Sequence, residues 1–423
     1  MSVFKNLKNS NTIYGIGWAT ISLFYFYQYI LRVSPGIMVV ELRQIFKLTA
    51  QEFSSLGSIY LLSYSLLQVP IGFILDRIGV RRVIMGATLI CILGTIIFAL
   101  ASNVLMLQIG RFLIGLGSAP AFICALKLVH DHLPEKYQGF FMGATLSIGT
   151  LGALLSGKSL VTILENNGWQ NTLFLCAGLG LIILTLVYFF VPRSLKAEKI
   201  VSTWEEFKHG VVNVLKEKEI IIYSVIAISV YTPLCVLADL WGTTFLMEKF
   251  SLSRAKSAEL SLYLYGGLTV GSLILPWAST KWGIYKEVIQ FCAVGIMVSL
   301  MVVLYADTLS ISQLTILLTL IGAFCGGEMI CFAAAALKSP AAHSGLTLGI
   351  VNTLNMLGGA IVQQLIGYYL DFKWSGHYSV DGARFYSAPE LSNAFSLLVY
   401  IIFACALLSF ALPKKPVPSK FLA

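Results

Sequence analysis

The stretch Pro70-Ile71-Gly72-Phe73-Ile74-Leu75-Asp76-Arg77-Ile78-Gly79-Val80-Arg81-Arg82 sets one acid, three arginines and two glycines between two long apolar segments. Glycine at 79 suits a tight turn joining two helices, and glycine at 72 suits close approach of a neighbouring helix. Asp76, at the edge of an apolar run, can pair with an arginine or face a helix N-terminus, a contact able to hold one end of a helix bundle closed and to break on opening. Arg77, Arg81 and Arg82 can anchor the loop on anionic headgroups. A role in topology alone would account for the arginines but not for Asp76 or the glycines.

The apolar flanks of this loop continue through the whole chain. Of 423 residues, 57% are hydrophobic and 12% charged, with a mean hydropathy of +0.82. A soluble domain of this length needs a much larger charged surface, so most apolar side chains are expected to face lipid. Runs long enough to cross a bilayer, which takes about 20 helical residues, fall at roughly 12–38, 53–75, 83–101, 104–129, 139–161, 170–191, 219–246, 260–281, 287–305, 310–337, 344–370 and 391–412. They are too long and continuous for barrel strands. The chain is therefore expected to be an all-α membrane protein with twelve spans. Residues 1–191 and 219–423 would each form a six-helix bundle, joined by a central loop at 192–218. Mixed charges around Trp204, Phe207, Val211, Val212 and Leu215 make that loop resemble a surface-lying amphipathic helix.

The net charge of +9 does not point to nucleic acid, because its distribution follows the spans. Most Lys and Arg fall at the N-terminus, in the 77–82 loop, at Lys136, between Arg193 and Lys218, at Lys281, Lys286 and Lys338, and after Lys414. The opposite side receives Arg43, Lys47, Lys249, Arg254, Lys256, Lys373 and Arg384. The positive-inside rule then puts both termini and the central loop in the cytoplasm of a multi-pass bacterial inner-membrane protein. The first residues run directly into a long aromatic span and look like a mature first helix, not a cleaved leader. Eight cysteines stand singly in apolar runs, outside any metal or redox spacing. Neither Ser156 nor His130, His132, His209, His343 and His377 falls in a nucleophilic or metal-binding pattern, and no Walker-type phosphate loop is present. Catalysis, metals, cofactors and ATP drive are accordingly not expected; the expected partners are a small solute, a possible co-transported proton and lipids, with the chain acting as a monomer.

The 70–82 stretch resembles the cytoplasmic loop signature GxxxD-R-x-G-x-R-R of the major facilitator superfamily, and twelve spans around a long central loop extend the resemblance over the chain. The resemblance implies two bundles that rock around a midplane site, with Gly72, Asp76, Arg77, Gly79, Arg81 and Arg82 in gating. Arg111-Phe-Leu-Ile-Gly115-Leu-Gly117 is similar to the superfamily's RxxxGxG element; this implies either proton coupling or a structural role for Arg111. The equivalent loop of the second half, Pro276 to Lys286, carries Pro276 and Thr280 where glycine and aspartate would be expected, so the first half bears more of the gating. The fifth span, Gly149 to Gly157, lacks the proline of the element found in drug and proton antiporters, which weakens an export reading.

Charges inside hydrocarbon are costly and usually face a cavity or a partner. Five qualify: Arg32, Arg111, Lys158, Asp239 and Glu328. Arg32 shares a helix face with Tyr25 and Gln28, with Tyr29 beside it, and an arginine's rigid fork suits a carboxylate or phosphate. The alternative for Arg32 is snorkelling from the helix end, with the tyrosines as an interfacial belt. Lys158 can add a second positive feature or snorkel outward. Asp239 can meet an amine or carry a proton; Glu328, deeper in its span, is the better proton candidate, or else forms a static bond between helices. Asn352 and Asn355, one turn apart, can point together toward a solute; Gln363 and Gln364 are weaker candidates. Positive features in the first half and acids in the second suit a small organic anion or a zwitterion such as an amino acid or short peptide. The expected activity is alternating-access transport, with proton symport or exchange both open. The alternative is efflux of amphiphilic or siderophore-like compounds.

Overall fold

The computed structural model describes residues 10–133, 135–193, 204–339, 344–380 and 382–413. Both chain ends, much of the central loop and His343 lie outside them. The described residues are helical apart from connecting loops and one isolated bridge between Tyr378 and Arg384. The first half contains α1 (Ser10–Ile37), α2 (Val39–Phe46), α3 (Ala50–Gln68), α4 (Ile71–Ile78), α5 (Val80–Ala99), α6 (Val104–Ser118), α7 (Pro120–His132) and α8 (Glu135–Phe190). After the loop helix α9 (Trp204–Lys216) come α10 (Lys218–Pro233), a π-helical segment (Leu234–Trp241), α11 (Gly242–Phe250), α12 (Arg254–Trp282) and α13 (Tyr285–Tyr305). The chain finishes with α14 (Ile311–Cys325), α15 (Glu328–Lys338), α16 (Ser344–Phe372) and α17 (Ala388–Ser409).

Among the described residues nine helical stretches are long and apolar enough to cross a membrane, or ten when α1 and α2, bent by 54°, count as one span. One of the nine, within α8, is a hairpin. At Gly168, φ 78° and ψ 164° break the helix in a conformation only glycine adopts without strain. The first arm runs parallel to α1, since Trp18 bonds Thr145 and Tyr25 lies against Gly149; the second runs back, with Trp169 against Phe46 and Gly180 against Tyr27. Together with α3 and α4, which read as one interrupted crossing, the arrangement is consistent with twelve spans.

The interruptions have local causes. Pro70 follows the end of α3, and α7 starts at Pro120, whose missing N–H is harmless in a first turn. Gly79 closes α4 at φ 80°, with its N–H on the Leu75 carbonyl, and starts the turn into α5 as the sequence predicts. At Gly72 a Cβ would meet nothing within 4 Å, so no neighbouring helix approaches it closely in this arrangement. The helix face it occupies is open, and the loop's tight geometry is carried by Gly79 alone.

Two seams join the halves: α3 against α16, and the first arm of α8 against α12. The α3–α16 seam is antiparallel and built on small residues. Gly367 packs on Ser54, Gln363 on Gly57 and Gly349 on Gln68, so the backbones come close enough for side chains of each helix to bond the other.

Candidate functional site

Arg32 lies on α1, 5% exposed, where α1 meets the second half. Its Nε and Nη2 donate to Oδ2 of Asp239 at 3.0 and 2.8 Å, and Nη2 also donates to the Tyr231 hydroxyl. The other oxygen of Asp239 accepts from the Tyr265 hydroxyl. Arg32 therefore does not snorkel; its charge is balanced across the interface between the halves.

The π-helical segment after Pro233 sets this register. A π turn leaves backbone carbonyls without ordinary helical partners and marks functional positions in many helices. Here Gln363 Nε2 of α16 donates to the Cys235 carbonyl at 2.6 Å. Gly36 brings α1 onto the same segment, where a Cβ would stand 2.8 Å from the Leu240 carbonyl oxygen. Asp239 is thus presented to Arg32 by backbone contact on both sides.

Six buried tyrosines surround the pair. Tyr29, Tyr60 and Tyr231 turn their rings to the Arg32 guanidinium at 5.5, 5.9 and 5.7 Å, a cation–π arrangement. Tyr25 contacts Tyr29 edge-on with their hydroxyls 3.4 Å apart, Tyr29 contacts Tyr265 likewise across the halves, and Tyr64 stacks by Tyr60. Gln28 accepts from the Tyr60 hydroxyl at 2.8 Å. Tyr25, Gln28, Tyr29 and Arg32 are therefore brought together as the helical spacing predicts. Tyr60 and Tyr64 were not anticipated, although the run of serines and tyrosines from Ser54 to Ser65, unusual in an apolar span, is a usable signal.

Glu328 begins α15, just past the break at Gly326 and Gly327, and is 6% exposed. Asn355 Nδ2 donates to it at 3.2 Å, while the buried Asn355 Oδ1 has no partner. The Tyr231 hydroxyl that meets Arg32 also reaches the sulfur of the next residue, Met356, at 3.9 Å. Asn352 and Asn355 do not point together: Asn352 Nδ2 donates to Gln68 of α3 at 2.8 Å. The two faces of α16 separate them, one against the other half and one against its own.

Arg111 is 1% exposed and makes no ion pair among the described residues. It donates to the backbone carbonyls of Leu56 at 2.8 Å, Leu31 at 2.7 Å and Arg32 at 3.2 Å, stapling α1 and α3 to α6. Lys158 is exposed on the first arm of α8 and is not gathered into the cluster; its charge acts on Glu259 of α12 instead. Of the loop residues, Arg77 lies over the Phe73 ring at 3.9 Å, and Arg81 bonds the Tyr188 carbonyl and covers its ring. Arg82 is exposed, and the Asp76 side chain lies outside the described residues.

The end away from this loop is closed by polar contacts that the sequence did not disclose. Arg254, at the start of α12, grips Glu41 through two bonds of 2.6 and 2.5 Å and donates to the Ile37 carbonyl at the end of α1. Asp371 of α16 accepts the N–H groups of Ala50 and Gln51 at the start of α3, at 3.1 and 2.8 Å, together with Arg384 and the Tyr386 hydroxyl. Burial and the adjacent Asp371 carboxylate hold the Tyr386 phenol above its ordinary pKa, so it remains a donor.

The sequence profile of the Major Facilitator Superfamily matches residues 18–363. Over 210 residues the chain is 27% identical to a Cupriavidus necator protein named Probable sulfoacetate transporter SauU, a match covering 49% of this chain and 48% of the relative. The matched stretch is thus about half the length of that relative. The D-galactonate transporter of Escherichia coli O6:H1 is 22% identical over 402 residues, 88% of this chain and 92% of the relative. Among solved structures, a bacterial homolog of the human lysosomal transporter Spinster, inward-facing and unoccupied, superposes with a TM-score of 0.73 at 15% identity, covering 94% of this chain and 96% of that one. With the profile spanning most of its length and the fold shared throughout, the chain belongs to the Major Facilitator Superfamily.

Proposed function

We propose that this chain carries a small organic anion across the membrane by alternating access, and that Arg32 receives the anionic group. The observation that carries the proposal is the buried ion pair between Arg32 of one half and Asp239 of the other. Isolated charges in hydrocarbon are expensive, and a pair that bridges two bundles must be remade whenever they rock. A solute carboxylate is the natural replacement partner, since it offers the guanidinium the same kind of charged acceptor oxygen. Both relatives described above are named for organic anions, sulfoacetate and D-galactonate, which supports this class over amphiphile efflux.

With the basic 77–82 loop in the cytoplasm, as the positive-inside rule requires, the clasps of Arg254 and Asp371 lie on the outer face. The contacts then describe a carrier closed outside. Asp76, Arg77, Gly79, Arg81 and Arg82 take the reciprocal role in closing the inner face, and both termini are cytoplasmic in a bacterial inner membrane. Proton coupling is assigned to one of the two buried acids of the second half, Asp239 or Glu328. Tyr25, Gln28, Tyr29 and Asn355 complete the solute's surroundings.

Counterflow of labelled D-galactonate and sulfoacetate in proteoliposomes tests the proposal. Wild-type protein should exchange one of them, and Arg32→Ala should lose on the order of 100-fold in exchange rate, as when one partner of a buried charge contact is removed. Undiminished exchange by folded Arg32→Ala protein would sink the assignment.

A further inference from the structure

We infer, on the transport proposal above, that the central site accommodates a single anionic group, for which Asp239 stands in when no solute is bound. The solute is then a monocarboxylate with hydrogen-bond donors at its far end, taken up with one proton.

Two guanidiniums are buried at this level, and only one is exchangeable. Arg111 is directed at the carbonyls of Leu31, Arg32 and Leu56, all within the first half. Turning it toward a ligand would break three hydrogen bonds from a charged donor at once, although the Leu31 carbonyl would keep the Ser34 hydroxyl. Arg32 instead ends on side chains of the second half, Asp239 and Tyr231. Lys158 is exposed and supplies no further charge. The site therefore holds one movable cation matched to one movable anion. A second solute carboxylate would be buried beside Glu328 without a counter-charge, an arrangement that desolvation makes costly.

When a solute carboxylate takes Arg32, Asp239 loses its cation in a dry site. A proton from solution then adds to one of its oxygens, giving a neutral acid, while the other still accepts from Tyr265. The groups that face Asp239 are Arg32 and Tyr29 on α1, Arg111 on α6, Cys235 in its own π segment, Tyr231 on α10 and Tyr265 on α12; Glu328 reaches the same cluster through its field on Tyr29. Arg32 is the group in this set whose partner changes on binding. At the other pole, Glu328 has one amide donor and the Asn355 carbonyl oxygen has no partner, so both call for donors from the ligand. Hydroxyl or ammonium groups fit, and a second carboxylate does not.

Galactonate and galactarate share one carbon chain and differ only in a terminal CH2OH or carboxylate. Titration calorimetry of purified full-length protein with each acid, repeated in buffers of different ionisation enthalpy, reads affinity and proton uptake together. Galactonate should bind at least about tenfold more tightly than galactarate, the discrimination expected when a second charge is buried unpaired. About one proton should enter per galactonate bound, and Asp239→Asn should bind galactonate with no uptake. Galactarate binding as well as or better than galactonate overturns the single-charge site while leaving anion transport standing; unchanged proton uptake in Asp239→Asn overturns the stand-in role. Absence of binding by either acid to monodisperse wild-type protein overturns both this inference and the transport proposal. The wild-type comparison needs no variant, so it stands even if Asp239→Asn fails to fold.

Discussion

Arg32 and Arg111 belong to the same half, are both nearly inaccessible and both rest on the ring of Tyr60, at 5.9 and 4.7 Å. Their partners differ completely. Arg111 is held by backbone carbonyls of its own half, groups that cannot move away from helices they belong to and cannot take up a proton. Arg32 is held by a carboxylate and a phenol of the other half, groups that move with that half, and the carboxylate can also take up a proton. Equal burial of equal charges therefore gives a fixed staple in one place and an exchangeable contact in the other. What separates them is the chemistry of the acceptor and the body that carries it, and this comparison rests on groups that can be changed one at a time.

The largest effect should come from Arg111→Ala. Three hydrogen bonds from a buried charged donor would be lost, and at roughly 1.5–3 kcal/mol for each the loss is comparable to the stability of a typical domain. Little or no monodisperse protein should be recovered, with Arg111→Lys intermediate because one ammonium cannot reach three diverging acceptors. Recovery of Arg111→Ala at wild-type yield and melting temperature would remove the distinction. Next in size is Arg32→Ala, which strands the Asp239 carboxylate at a cost of roughly 3–5 kcal/mol while that group stays charged. Protonation can relieve this cost, so the melting temperature should recover as pH falls, and Arg32→Ala combined with Asp239→Asn should be more stable than Arg32→Ala alone. A stability loss that neither acid nor the second substitution repairs would show that Arg32 is structural in the way Arg111 is.

The sequence carried the spans and the charged positions because hydrocarbon penalises charge so heavily that a buried arginine or aspartate is conspicuous wherever it stands. It could not carry the pairing. Arg32 and Asp239 meet through a π-helical register and through Gly36, neither of which has a periodic signature. Asn352 and Asn355 obey the one-turn spacing yet bond to Gln68 and Glu328, because a helix at a seam has two occupied faces and spacing does not say which is which. The open face at Gly72 is a similar case. Its motif position is regular, but whether a neighbour approaches is a property of the neighbour. Tyr60 and Tyr64 carry no signal by themselves because aromatic residues in an apolar span read as ordinary packing, whereas the serines interleaved with them mark a polar seam. Arg254 and Glu41 lay among charges near span ends, where a topological role explains every residue singly and gives no reason to join two of them.

Arg254 is the intermediate case, and the smallest of the three effects. Like Arg32 it reaches across the halves to a carboxylate, Glu41, and like Arg111 it also bonds a backbone carbonyl, that of Ile37. Its side chain is 13% exposed and that of Glu41 24%, so water screens the pair and can replace it when it opens. Loss of this contact should therefore leave each half intact and weaken only the closed arrangement of this end, by about 1 kcal/mol, or a shift of roughly fivefold in population. Spin labels at Ile45 and Val380, both strongly exposed and on opposite halves at this end, should report a larger widely separated population in Arg254→Gln than in wild type, with an unchanged melting temperature. A drop in melting temperature without any change in the distance distribution would place Arg254 with Arg111. The division between staples and exchangeable contacts would then follow the carbonyl partner and not the crossing between halves.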